Sequence, residues 1–135
     1  MKLLLMLLMM LVVPAGCARY TAPAGYPALA TPYVGNAPAV SRIVLSLPPP
    51  GDGWRQQFIS IDSEAYSLTV YYEPLAADTV PQTPDLPADT FEAHAALLFE
   101  LIGNLAEVTF AKRQTPSDGI LDTEAYKHLW IATRN

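Results

Sequence analysis

Leu97-Leu-Phe-Glu-Leu-Ile-Gly-Asn-Leu-Ala-Glu-Val-Thr-Phe110 is the stretch that decides the fold. Up to Ile102 its apolar residues recur three and four apart, the spacing of one face of an α-helix. After Gly103-Asn104 the period drops to two: Ala106, Val108 and Phe110 alternate with Glu107 and Thr109, as on a half-buried strand. Gly103-Asn104 is expected to stop the helix by supplying a left-handed residue. A connection this tight returns the strand along its own helix to join a sheet.

Upstream, the helix opens at Asp89, with Glu92 three residues on in a capping-box arrangement. Phe91, Ala95, Leu98, Ile102 and Leu105 form its stripe, widened by Leu97, Phe99 and Leu101, so this helix is expected to be the slab against which the sheet packs. Two strands precede it. Residues 54–61 contain Phe58, Ile59 and Ile61, and residues 66–72 alternate, with Tyr66, Leu68, Val70 and Tyr72 on one face and Ser67, Thr69 and Tyr71 on the other. Asp62-Ser-Glu-Ala65 joins them at hairpin length. One face of this pair should meet helices and the other water. Phe58 and Tyr71 then fall on the open face, where an exposed aromatic pair can mark a binding surface. More often such rings cover neighbouring strands or pack under a loop.

Further upstream, Asn36 is a good N-cap, Pro38 sits in the first turn, and Val40, Ile43, Val44 and Leu47 line one helical face. Pro48-Pro-Pro-Gly51 ends that helix. Residues 73–89, with Pro74, Pro81, Pro84 and Pro87, read as an exposed connector. Downstream of Phe110, residues 112–119 form a polar turn, and Gly119-Ile-Leu121 could add a short edge strand. Asp122 is expected to cap a last helix, with Leu121 and Tyr126 at the spacing of a hydrophobic staple and Leu129 and Trp130 facing inward. That helix is expected to fray by Arg134. The expected fold class is α+β: a small antiparallel or mixed sheet of about three strands against about three helices, in the order α-β-β-α-β-α.

Several of these segments together resemble the bacterial domain of unknown function 4825. They are Thr31-Pro-Tyr-Val-Gly-Asn36, the short helix ending at Leu47-Pro48, Tyr66-Ser-Leu-Thr-Val-Tyr-Tyr-Glu73 and the Leu97 to Phe110 stretch. The resemblance runs from Tyr33 to about Trp130. This chain has Ala65-Tyr-Ser-Leu-Thr-Val70 where the family often has Pro-Tyr-Gly-Leu-Thr-Val, and Asn36 where the family usually has an acid. The resemblance implies a small exported lipoprotein, or a module like those on the outer side of membrane-embedded regulatory metallopeptidases of the antirepressor type. It implies no activity, so no functional residue carries over.

The N-terminus carries a different signal. Lys2 is followed by a run of Leu, Met and Val about half as long as the ~20 residues that span a bilayer. The run exits through Val13-Pro-Ala-Gly-Cys17. A positive start, an apolar stretch and small residues make a secretory signal. Ala15, Gly16 and Cys17 resemble the lipobox of bacterial lipoproteins, whereas Pro14 stands where an aliphatic residue is usual. The resemblance implies cleavage before Cys17, the only cysteine, and a diacylglycerol thioether on it. Two acyl chains give stable anchoring, at about 0.8 kcal/mol per buried methylene. Cleavage after Ala18 would instead release a secreted chain, and a buried or incidental cysteine is the third reading. The expected organisation is a signal over residues 1–16, a lipidated Cys17 and Pro/Ala-rich tether over 17–32, and one domain over 33–132. Extended as polyproline the tether reaches about 45 Å, and as a coil nearer 20 Å.

The net charge of −5 and the lack of any Lys/Arg cluster argue against nucleic acid. His94 and His128, the only histidines, are expected on separate helices without carboxylates at ligand spacing, so neither metal nor other cofactor is expected. No serine elbow and no glycine-rich loop before a helix stands out. The expected role is therefore a membrane-tethered, non-enzymatic extracytoplasmic module that is ligand-binding or sensory. Its expected partners are the membrane, through the lipid, and an envelope protein, a peptide or a wall fragment. The alternatives are a structural or protein-interaction lipoprotein of the envelope and, less favoured, a small secreted hydrolase.

Overall fold

The computed structural model describes residues 26–48, 50–51, 53–75 and 88–134. The expected signal, Cys17, most of the tether and most of the Pro-rich connector lie outside them.

Asn36 caps helix α1 (Ala37–Ser46) as its sequence predicts, Oδ1 accepting from the Ala39 N–H at 3.3 Å. Strands β1 (Trp54–Asp62) and β2 (Ser67–Pro74) form an antiparallel hairpin. Its turn is closed by Asp62 Oδ1, which accepts from the N–H groups of Glu64 and Ala65 at 3.0 and 3.1 Å. Tyr66 completes the turn at a φ of 54°. It is therefore a turn residue with an exposed ring, not the first inward position of β2.

Helix α2 (Ala88–Leu101) then crosses the sheet, and β3 (Glu107–Lys112) lies parallel to β2. Parallel neighbours need a crossover of this kind. Asp89 lies inside the first turn rather than at the cap, and its Oδ1 accepts from the Thr90 N–H at 3.0 Å.

The end of the chain corrects the sequence reading. Asp122 caps only a 3₁₀ turn (Thr123–Ala125), and residues Lys127–Thr133 form β4, antiparallel to β3. Gly119 to Leu121 add no strand. The fold is α+β, and the described residues form a mixed sheet ordered β1-β2-β3-β4 and two α-helices. Among the described residues there are four strands rather than about three and two α-helices rather than about three, in the order α-β-β-α-β-β.

Register places Leu68, Val70 and Tyr72 of β2 beside Val108, Phe110 and Lys112 of β3 on one face. Both helices cover that face, burying Val40, Ile43 and Val44 from α1 and Phe91, Leu97 and Leu98 from α2. Phe110 lies in an aromatic cluster, its ring centroid 5.0 Å from Phe91 and 6.2 Å from Tyr72. His94 is buried against the same ring, 6.4 Å away, and its Nδ1 has no partner among the described residues.

Burial holds the His94 pKa below its ordinary value. The unfolded chain therefore binds this proton first, so stability falls as pH drops through about 6.5, by at most ~1.4 kcal/mol per pH unit. Urea midpoints compared between pH 7.5 and 5.5 should fall in the native chain and flatten in His94→Leu.

The C-terminal end of α2 gathers both ends of the described chain. The Thr31 N–H donates to Leu101 O at 2.8 Å and Gly103 N–H to Thr31 O at 2.9 Å. Thr31 is buried and Leu29 packs on the core, so these residues of the expected tether lie on the domain. Gly103 has no left-handed φ. Its use is close approach, since a Cβ there would stand 3.1 Å from Pro32 Cα.

Candidate binding groove

Trp130 stands opposite Phe110 on β3, so its ring lies on the helix-covered face at the open margin of the sheet. Ala132 follows on the same face. Facing them across the margin are Ala95, Ala96 and Phe99 of α2, spaced so that they share one side of the helix. The two alanines keep the helix wall low where the rings of Phe99 and Trp130 stand out. The result is a groove of about 450 Å³ between α2 and residues 130–133, with Glu92 at its rim.

Among the described residues the strand side of the groove is a sheet edge, and its main chain is partly unpaired. The Arg134 N–H bonds Ala106 O at 2.9 Å, towards β3. Antiparallel ladders alternate, so Ala132 and Trp130 also bond inward, and Ile131 and Thr133 turn their N–H and C=O groups outward. A bulge between the Phe110 and Ala111 pairings confines the regular edge to these last residues. At the far end, Arg134 lies over the Phe99 ring, 5.2 Å from its centroid.

The aromatic pair suggested by the sequence is brought together but not at this groove. Phe58 and Tyr71 are cross-strand partners on the other face of the sheet. Tyr71 is only 7% exposed and packs edge-on against Tyr126 at 4.8 Å, while Phe58 is half-buried beside a shallow hollow next to Leu45. That face is therefore not simply open to water. Glu73, expected at the start of an exposed connector, is fully buried there. Arg55 is its cross-strand partner and donates to Glu73 Oε1 at 2.6 Å. Burial alone would raise the Glu73 carboxyl, but the Ser117 hydroxyl, the Arg55 guanidinium and the Ser117 N–H together hold it below the ordinary carboxylate value.

His128, expected on a helix, is on β4. Among the described residues no group of three His, Cys, Asp or Glu side chains could hold a metal ion, and no helix is long and apolar enough to cross a membrane. Phe99 and Trp130 were legible as apolar residues, but a helical reading of residues 122–133 hides the edge they border.

A family model described as a domain of unknown function (DUF4825) matches residues 28–127. The chain belongs to this family. The match begins beside Leu29 and Thr31, the residues that fasten the N-terminal segment onto α2. No curated protein and no solved structure gives a significant match. The family identity thus brings no activity with it, and a functional argument for this DUF4825 domain rests on its own groove and edge.

Proposed function

We propose that this DUF4825 domain is a non-enzymatic binding module, tethered outside the membrane by a lipid on Cys17, that captures an extended peptide in the α2–β4 groove. The observation that carries the reading is the outward main chain of Ile131 and Thr133 beside an aromatic-lined groove. An extended peptide that adds to such an edge gains main-chain hydrogen bonds, and the adjoining groove selects its alternate side chains. Ala95 and Ala96 leave room for an apolar side chain between Phe99 and Trp130.

Nuclear magnetic resonance titration with a panel of capped pentapeptides, apolar at alternate positions, tests the reading. The amides of Ile131 and Thr133 should shift first, and N-methylation of the peptide amides that face the edge should abolish binding. Trp130→Ala should weaken binding about tenfold, or ~1.4 kcal/mol. Absence of any shift at these amides up to millimolar peptide would remove the proposal.

The anchoring half is tested by the intact mass of the mature protein from the membrane fraction, beside Cys17→Ala. A diacylated N-terminus lost in the variant supports the tether. An unmodified chain beginning at Arg19 in the medium means a secreted domain.

A further inference from the structure

The sheet face turned away from the helices is crossed by residues 113–126, which connect β3 to β4. This segment is held to the sheet at three places, the first at its start, where the Arg113 N–H donates to Tyr72 O at 3.1 Å. The Ser117 N–H donates to Glu73 Oε2 at 3.0 Å, while Arg55 Nε and Nη2 donate to the other oxygen, Oε1, at 3.1 and 2.6 Å. Nine residues later the Tyr126 ring meets Tyr71. Tyr71, Glu73, Thr109 and Ala111 lie buried on this face.

Among the described residues little else fastens the segment. Its only regular structure is the 3₁₀ turn, and its other hydrogen bonds are mostly within itself. Gly119 N–H donates to Ser117 Oγ, Ile120 N–H to Asp118 Oδ1 and Glu124 N–H to Asp122 Oδ1. Ile120 points its apolar side chain into solvent. Arg113 lies over the Tyr126 ring, 5.6 Å from its centroid, a contact made within the segment. The closed arrangement is thus held by few contacts, the signature of a segment that opens locally before the domain unfolds.

We propose that residues 113–126 are a releasable strap, latched by Glu73, over a second aromatic surface made by Tyr71 and Phe58. Glu73 is the latch because its two oxygens are divided, one to β1 and one to the strap. The charged and titratable groups around it are Arg55 on β1, Arg113 just after β3, Tyr71 on β2 and Tyr126 at the foot of the strap. Its carboxyl is held below the ordinary value, so the latch stays charged at neutral pH and is lost only as pH falls through that depressed value. The strap is independent of any ligand in the α2–β4 groove.

The test is nitration of Tyr71 by tetranitromethane in the full chain, read by peptide mass, together with amide exchange. Tyr33 and Tyr66, both exposed, serve as internal references. Ser117→Pro removes the latch N–H and leaves the Arg55–Glu73 pair intact, whereas Glu73→Gln removes the charge. Tyr71 should nitrate about tenfold faster in both variants, while amides in α2 and along the β2–β3 ladder keep their protection. Unchanged Tyr71 in both variants would overturn the latch. Loss of protection spreading into α2 and β3 would overturn the strap, making the segment an integral part of the fold.

Discussion

Phe110→Ala should lower the unfolding free energy by about 3–5 kcal/mol, the range for emptying a buried aromatic site. Phe110 is fully buried at the centre of β3, with Val70 beside it on β2 and Trp130 on β4. Rings of Phe91, Tyr72 and His94 surround it at 5.0, 6.2 and 6.4 Å between centroids. A cavity here cannot be filled from one side, because its walls belong to a helix and to three paired strands. Against a total stability of about 5–15 kcal/mol the loss is a large share. In a domain of this size it should lower Tm by roughly 15 °C or more, measured by circular dichroism. Phe110→Leu, which keeps most of the volume, should lose less than half as much. Ile120→Ala, at a site 71% exposed, should fall within about 0.5 kcal/mol of the native chain. Equal losses at Phe110 and Ile120 would mean that the aromatic cluster is not the core.

The helix-to-strand switch at Gly103-Asn104 was legible because both halves bury a face: period 3.6 before the break, period two after it. The hairpin was legible for the same reason. The last element was not. Asp122 and the spacing of Leu121 and Tyr126 favour a helix start, and locally that start exists, with Asp122 Oδ1 accepting from the Glu124 N–H at 3.1 Å. What ends it is the bare edge of β3. Pairing there satisfies a row of backbone groups that a helix would leave unmet on the neighbouring strand. Trp130, Ile131 and Thr133 suit a strand better than a helix once that edge is available. Tyr126 accordingly turns to Tyr71 instead of stapling a helix.

Glu73 was hidden for a related reason. Its neighbours Pro74 and Pro81 mark a connector, and punctuation of that kind carries no information about what lies opposite. Counting outward from the Asp62 turn in strict register sets Gln56 opposite Glu73, and so misses the cross-strand pair of opposite charge that Arg55 and Glu73 make. The bulge between Gln56 and Phe58 shifts that count by one residue. The groove could not be read at all before β4 was a strand, because an edge exists only relative to a sheet.

Arg134→Ala should cost about 2–3 kcal/mol, although the residue lies at the end of the last strand and a frayed terminus would cost nothing. The last carbonyls of a helix have no partner within it. Here Arg134 Nη2 donates to Phe99 O at 2.6 Å and to Ile102 O at 3.0 Å, while Nε donates to Leu105 O at 2.7 Å. Thr31 takes Leu101 O from the other side. Each hydrogen bond from a charged donor contributes up to about 1.5–3 kcal/mol, and a cation at a helix C-terminus adds about 0.3–1 kcal/mol, but the three bonds share one side chain and do not add fully. The planar fork is what reaches three carbonyls in different directions. Arg134→Lys keeps the charge and loses the fork, so it should recover less than half of the loss. Urea unfolding of the three chains measures this directly. Because Arg134 also lies over Phe99, the alanine variant should weaken peptide capture in the groove beyond its effect on stability. A lysine variant as stable as the native chain would show that charge near the helix end suffices. The contacts to Phe99, Ile102 and Leu105 would then be incidental, and the groove wall would not depend on them.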